Sequence, residues 1–362
     1  MTPIREIERL PRIEGRAKMH SVFRTVFLLA AAITACTAGV LSESTPKSDS
    51  NRDLLLVVNK GDQTLGIVDP ESGLQLATVP VEGTTGHEVA ASPDGRTAWV
   101  PIYGNSGVGS PGTDGRTVAV IDLKSHTRIA TVDLGHPARP HCAIFGPKNG
   151  RLYVTAELTR SIEVIDPNKR KVVDSIPTGE PQSHMLAISS DGNRGYTANV
   201  GAGTVSVIDL PNKRVLVVIP VSAVVQRIAI SIDDRWVFTA DQTKPQLAVI
   251  DTQTNKVKTW VPLPDLGFGM TPTHDGGRLL ITQPASDSVL VLNLLSMKVE
   301  RVIHVPADPQ EIVVRPDDRI AYVSCDQSKQ VVAINLSSGK IEKVIEVGAG
   351  ADGLAWAAAS PQ

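Results

Sequence analysis

The chain is poor in the residues that usually announce chemistry. Of its 362 residues only three are cysteines, and aromatic side chains make up 4%. No Cys-x-x-Cys, His-Glu-x-x-His or Gly-x-Ser-x-Gly occurs, which removes the commonest zinc-enzyme and hydrolase signatures. Clustered Lys and Arg are missing too. The 36 bases face 38 acids, and six of those bases and three of those acids precede Cys36, leaving 30 bases against 35 acids from there on. A mildly acidic body without a basic stripe is a poor partner for nucleic acid. No apolar run reaches the length of a bilayer span. Beyond the N-terminal leader no segment carries a 3.6-residue apolar period, so the body reads as all-β.

The apolar run Val26 to Ile33 follows Arg24 and has the form of a signal-peptide core, so residues 1–36 read as a leader and the protein as exported. Met19 is an alternative start within it. Ile33-Thr34-Ala35-Cys36 resembles a bacterial lipoprotein box, which would make Cys36 a lipidated first residue and give the protein a membrane anchor; an ordinary secretory cut a few residues later is the alternative. Residues 37–52 are small and polar and read as a tether, 53–358 as the folded body, and 359–362 as a tail. Only Cys142 and Cys325 then remain in the body, so an exported chain without a disulfide framework needs a large core.

What is present is a repeat. A β-rich triplet ending in Asp or Asn recurs at Asp69, Asp122, Asp166, Asp209, Asp251, Asn293 and Asn335, at spacings of 53, 44, 43, 42, 42 and 42 residues. Seven copies at this period predict a seven-bladed β-propeller. Each unit holds four β-rich runs parted by turns, as in HMLAIS, RGYTAN, TVSVID and KRVLVVI over residues 184–219. Residues 54–79 supply only three runs before the first full unit, and Gly353-Leu354-Ala355-Trp356-Ala357 is left over at the end. The C-terminal strand is therefore expected to complete the first blade and cover two exposed edges.

The tetrapeptides Tyr153-Val154-Thr155-Ala156, Tyr196-Thr197-Ala198-Asn199 and Tyr322-Val323-Ser324-Cys325, the Ser92-Pro93-Asp94-Gly95-Arg96 turn and the Val-Ile-Asp anchors resemble the YVTN-repeat β-propeller family over about residues 53–357. No copy keeps the family tetrapeptide intact. The resemblance implies the propeller fold, and a family that includes scaffolds, binding proteins and enzymes.

Most of the conspicuous polar residues read as structural. The seven anchor Asp and Asn residues, with Asp94, Asp191 and Asp275, open tight hairpins, where a short acceptor side chain bonds the turn's own amides. Gly107 to Gly112 matches Gly-x-Gly-x-x-Gly, but no helix follows, so it reads as a loop. Cys142 and Cys325 fall on blades too far apart to bridge and are expected as buried free thiols.

Aligned on their turns, the units share one position near the start of each innermost strand, the strand that lines the central channel. Around the ring it holds His87, His141, His184, Gln226, Phe268, Gln310 and Asp352. The three histidines either satisfy backbone groups at the channel entrance or ligate copper or zinc with an open position for water or substrate. Gln226, Gln310 and Asp352 would add hydrogen bonds across the mouth, with Asp352, the only carboxylate of the set, expected two blades from His87. Strict alternation sends the next residues, Glu88, Cys142 and Met185, between the blades. An insertion from Tyr103 to Arg116 accounts for the 53-residue spacing and is expected as a glycine-rich loop over His87, a candidate lid. Two readings follow. One is an exported binding or scaffold propeller that takes a small molecule or protein at its channel mouth. The other is a copper- or zinc-dependent enzyme using His87, His141 and His184, for which resemblance to propeller lactonases and streptogramin-type lyases implies ring opening or hydrolysis.

Overall fold

A computed structural model describes residues 52–105 and 107–359. The leader 1–36, with Cys36, lies outside the described residues, as do all but the last residue of the 37–52 tether and all but the first of the 359–362 tail.

Seven antiparallel four-stranded sheets form a ring. Among the described residues there is no α-helix, only a 3-10 turn at Pro284–Ser286. The ring closes as the strand count predicts. The last strand, β28 (Ala351–Ala357), pairs antiparallel with β1 (Leu54–Asn59), and the first blade runs β28, β1, β2 (Thr64–Asp69), β3 (Leu74–Pro80).

Sheets standing side by side bury both faces of their inner strands. All six residues of β1 are accordingly buried. The outermost strands show one face to water and alternate instead, as β11 (Lys171–Pro177) does, with exposed Lys171, Val173 and Ser175. The turn residues behave as read. Asp122 accepts the amides of Lys124 and Ser125, Asp251 those of Gln253 and Thr254, and Asn335 those of Ser337 and Ser338.

A second set of hydrogen bonds ties three of the blades to the next. The Thr155 hydroxyl donates to the His184 carbonyl (2.7 Å), Thr282 to that of Gln310 (2.8 Å) and Ser324 to that of Asp352 (2.6 Å). At these three blades the hydroxyl position of the repeated tetrapeptide holds the channel residue of the following blade, whereas Thr239 bonds the Arg227 carbonyl of its own blade. Cys142 and Cys325 are both buried and free.

Candidate functional site

The channel-lining residues owe their direction to an irregularity that recurs at the start of the innermost strands. In β8 (Pro140–Phe145), Pro140 pairs with Ala156 and Ala143 with Val154, so His141 and Cys142 together oppose Thr155 alone. In β24 (Pro309–Val314), Gln310 and Glu311 oppose Ser324. In β28, Asp352 and Gly353 oppose Val58. Each is a β-bulge, which interrupts the pleat and re-aims side chains. A left-handed residue sits two positions earlier in each case: Arg139, Asp308 and Gly350, with φ of 49°, 63° and 71°. For the two non-glycines this conformation costs on the order of 1 kcal/mol or more, a strain found where backbone is held for a purpose.

The bulge corrects the expectation that the residue after each column position packs between blades. Glu88 turns into the bore and meets Arg227 from across the ring, whereas Met185, on the neighbouring blade, touches Arg227 with its sulfur while still packing partly against the side chains between blades. Cys142 does pack between neighbouring blades, with Ile162, Leu186 and Ile208. The channel thus has two layers. The upper one holds the predicted column, and a lower one holds Glu88, Arg227 and Glu311.

All seven column residues except Gln226, Phe268 and His87 are at most 9% exposed, and every one lines a single cavity of about 160 Å³ at the channel mouth. Lys60, Tyr103, Arg227, Gly107 and Val108 complete its wall. The last two belong to the inserted loop, which joins β5 (Thr97–Gly104) to β6 (Asp114–Asp122) and does cover His87. Arg139 pins that loop, its guanidinium donating to the Ser110 carbonyl (2.8 Å) and to Asp114 (2.6 Å).

Two histidine–carboxylate pairs flank the mouth. His87 Nδ1 lies 3.1 Å from Asp352 Oδ2. The two were expected two blades apart, but β28 stands in the first blade and His87 enters the second, so they are neighbours around the ring. Burial opposes ionisation of Asp352, but the hydrogen bond from His87 and the charges of Lys60 and Arg227 outweigh it and hold its carboxyl down at about 2. The second pair is deeper. His184 Nδ1 meets Glu157, whose other oxygen accepts the Tyr103 hydroxyl at 2.8 Å, and His184 Nε2 takes the Gln226 amide at 3.2 Å.

His141 stands between these pairs, its ring centroid 5.3 Å from that of His87 and 3.5 Å from that of His184. Burial, then the neighbouring His184 and His87, drives it well below the ordinary histidine range, so it is neutral. Burial likewise lowers His184. The three histidines therefore meet, but not as a ligand set. His184 spends both nitrogens on Glu157 and Gln226, and its ring lies against that of His141 at a tilt of 35°. Among the described residues no three His, Cys, Asp or Glu side chains are placed to hold a metal ion. The arrangement of His87, His141 and His184 expected for copper or zinc is not among such placements.

Beneath them Arg227 crosses the bore. It bonds Glu88 and Glu311 (the latter at 2.8 Å), lies 3.7 Å from Asp352, and stacks 4.5 Å over the Phe268 ring. Burial pushes Glu88 up to about 8 even against the Arg227 charge, and raises Glu311 as well.

Glu157, Arg227 and Lys60 were not among the residues singled out from sequence. Glu157 and Asp326, the partner of Lys60 at 2.6 Å, each follow directly on a repeat tetrapeptide, a shared signal that was present. Arg227, Glu88 and Glu311 each follow a column residue, and their opposite charges at one repeat position were the sign of pairing across the axis.

Residues 146–273 match the family model of the cytochrome D1 heme domain. No curated protein matches the chain. Similar solved structures include hydrazine synthase of Kuenenia stuttgartiensis, at 19% identity and a TM-score of 0.69 over 83% of this chain and 99% of that one. The periplasmic gluconolactonase of Pseudomonas aeruginosa is 18% identical, with a TM-score of 0.68 over 85% of this chain and 100% of that one. A protein of unknown function from Desulfotomaculum acetoxidans is 15% identical, with a TM-score of 0.70 over 84% and 99%. These likenesses establish a propeller fold, which the seven blades display directly.

Proposed function

We propose that the channel mouth takes a small organic molecule and hydrolyses it by general-base catalysis, a cyclic ester being the substrate class that fits best. The observation that carries this reading is the His87–Asp352 pair opening into the cavity. With Nδ1–H donated to ionised Asp352, the tautomer is set and Nε2 keeps its lone pair for a water proton, an assignment made from the hydrogen-bond network. A water oxygen attacks the ester carbonyl while His87 takes its proton. The ring C–O bond then breaks, and His87 returns that proton to the departing oxygen. One water is consumed, and the product is a hydroxy acid that ionises. At about 160 Å³ the cavity has room for a small ligand only.

The name of the gluconolactonase neighbour supports the ester class. The heme named by the matching family model finds no fit here. His141 and His184 are each 2% exposed with ring centroids 3.5 Å apart, and the cavity lies below the ~300–1,000 Å³ of ordinary ligand sites, far short of a tetrapyrrole. The leader read from sequence and the periplasmic neighbour support a place outside the cytoplasm.

The test is hydrolysis of D-glucono-1,5-lactone and smaller lactones in a pH-stat. Turnover above the spontaneous rate is expected, with a loss of about 10²- to 10⁴-fold in His87→Ala. Equal rates in the two proteins overturn the mechanism. Binding without turnover is a second reading, favoured by the mutual saturation of Glu157, His184 and Gln226; it expects His87→Ala to weaken lactone binding in a protein that shows no hydrolysis.

A further inference from the structure

Four side chains from four consecutive blades form one hydrogen-bonded chain that ends at the mouth. Tyr103 stands on the second blade, Glu157 follows the second strand of the third, His184 opens the fourth and Gln226 enters the fifth. Chemistry fixes the direction of each proton in it. Burial, then the neighbouring Glu157, pushes the Tyr103 hydroxyl well above the usual tyrosine range, so it stays protonated and donates to one Glu157 oxygen at 2.8 Å. Burial lowers His184, so at pH 7 its ring is neutral and carries a single N–H. The other Glu157 oxygen takes that N–H at Nδ1. Nε2 keeps a lone pair that only a donor can meet, and the Gln226 amide N–H meets it at 3.2 Å.

A side-chain amide that turns its nitrogen one way turns its oxygen the other. Among the described residues no donor reaches Gln226 Oε1, and this oxygen is not sealed off as the buried, partnerless His141 Nδ1 is. Gln226 is half-buried and lines the cavity, so Oε1 is the atom it offers there. Gln310, two blades on, is set in the same way. Its amide donates to Asp308 at 2.6 Å, and its carbonyl oxygen has no donor among the described residues. Phe268 enters from the blade between them, an apolar ring with Arg227 over one face. Two carbonyl acceptors flanking a phenyl ring fit an uncharged ring that carries hydroxyls.

We infer that the chain from Tyr103 through Glu157 and His184 locks the Gln226 carbonyl oxygen toward the mouth, where Gln226 selects a ring bearing a hydroxyl. This rests on the mouth being the lactone site proposed above, and it narrows the substrate class to a polyhydroxylated lactone.

Two measurements test it. In protein labelled with 15N-histidine, two-bond 15N–1H spectra at pH 7 report which nitrogen of His184 holds the proton, the signal being assigned by its loss in His184→Asn. The Nδ1–H tautomer is expected. An Nε2–H tautomer would turn the Gln226 oxygen onto the imidazole and overturns the inference. Binding of 1,5-anhydro-D-glucitol and of tetrahydropyran, stable rings with and without hydroxyls, is then read from the same signals. Anhydroglucitol should bind about tenfold more tightly or better, and Gln226→Met should weaken it roughly three- to tenfold, the worth of one neutral hydrogen bond, with tetrahydropyran unchanged. Equal binding of the two rings, binding of neither, or a Gln226→Met protein that keeps the full preference overturns the inference. The pH-stat assay separates it from the hydrolytic reading. Turnover of δ-valerolactone, which has no hydroxyl, as fast as that of D-glucono-1,5-lactone removes this selection and leaves hydrolysis standing. Hydroxyl preference without turnover of either lactone removes the chemistry and leaves the selection.

Discussion

Replacing Asp352 by Asn keeps the shape of the side chain and removes one charge from the centre of the mouth. The carboxyl is held at about 2 against an ordinary 3.8, and a tenfold change in acidity corresponds to about 1.4 kcal/mol. The surroundings thus stabilise the ionised form by about 2 kcal/mol, and the group is only 2% exposed, so solvent screening takes little from this. The sign follows from a depressed acid. The contribution is complete above pH 3.8, about half remains at pH 3, and it is lost as pH falls through 2. Asp352→Asn should therefore cost about 2 kcal/mol at pH 7, seen as a melting temperature lower by roughly 4 °C. At pH 3 the gap between the two proteins should be about half as large. A double-mutant cycle with His87→Ala should show coupling, since the two side chains touch. A loss of the same size at both pH values, or none at pH 7, would refute the claim that Asp352 is ionised and held by its neighbours.

Deletion of residues 351–362 removes β28, exposes the edge of the fully buried β1, and strips the Trp356 ring from its stack on Tyr322 at 5.8 Å. The truncated chain should melt well below the parent or aggregate; an unchanged melting curve would mean the ring does not depend on this closure. Burial pushes both Cys142 and Cys325 up to about 12. In a chain beginning after Cys36, a thiol reagent should find no reactive cysteine in the native state and two in denaturant, and rapid labelling of the native protein would contradict their burial.

Blade number, closure and turn chemistry were legible because they are local and repeated. An Asp that caps a hairpin does so with amides two and three residues away, and a strand missing from one end of the chain must come from the other. The upper ring of the channel was legible for the same reason: one position, counted from one turn, gave His87, His141, His184, Gln226, Gln310 and Asp352. The roles of these residues were less so. Strict alternation predicts that Glu88 and Met185 leave the channel, and only the hydrogen-bond register shows that His141 with Cys142, and Gln310 with Glu311, share a single partner residue. Ring orientation, on which any ligand set depends, is not carried by spacing. Nothing in the spacing of residues 87 and 352 along the chain reports that they touch.

Where a second successive side chain turns inward, as at Glu88, Arg227 and Glu311, the bore gains two storeys with separate duties. The lower storey is a cross-brace: Arg227, anchored in the fifth blade, reaches partners in the first, second and seventh, so distant parts of the ring are held by one guanidinium. The upper storey joins that task only through Asp352 and Phe268. Substitutions at Gln226 or Gln310 can retune what the mouth accepts while the brace below keeps the ring of blades in register, a separation of recognition from cohesion.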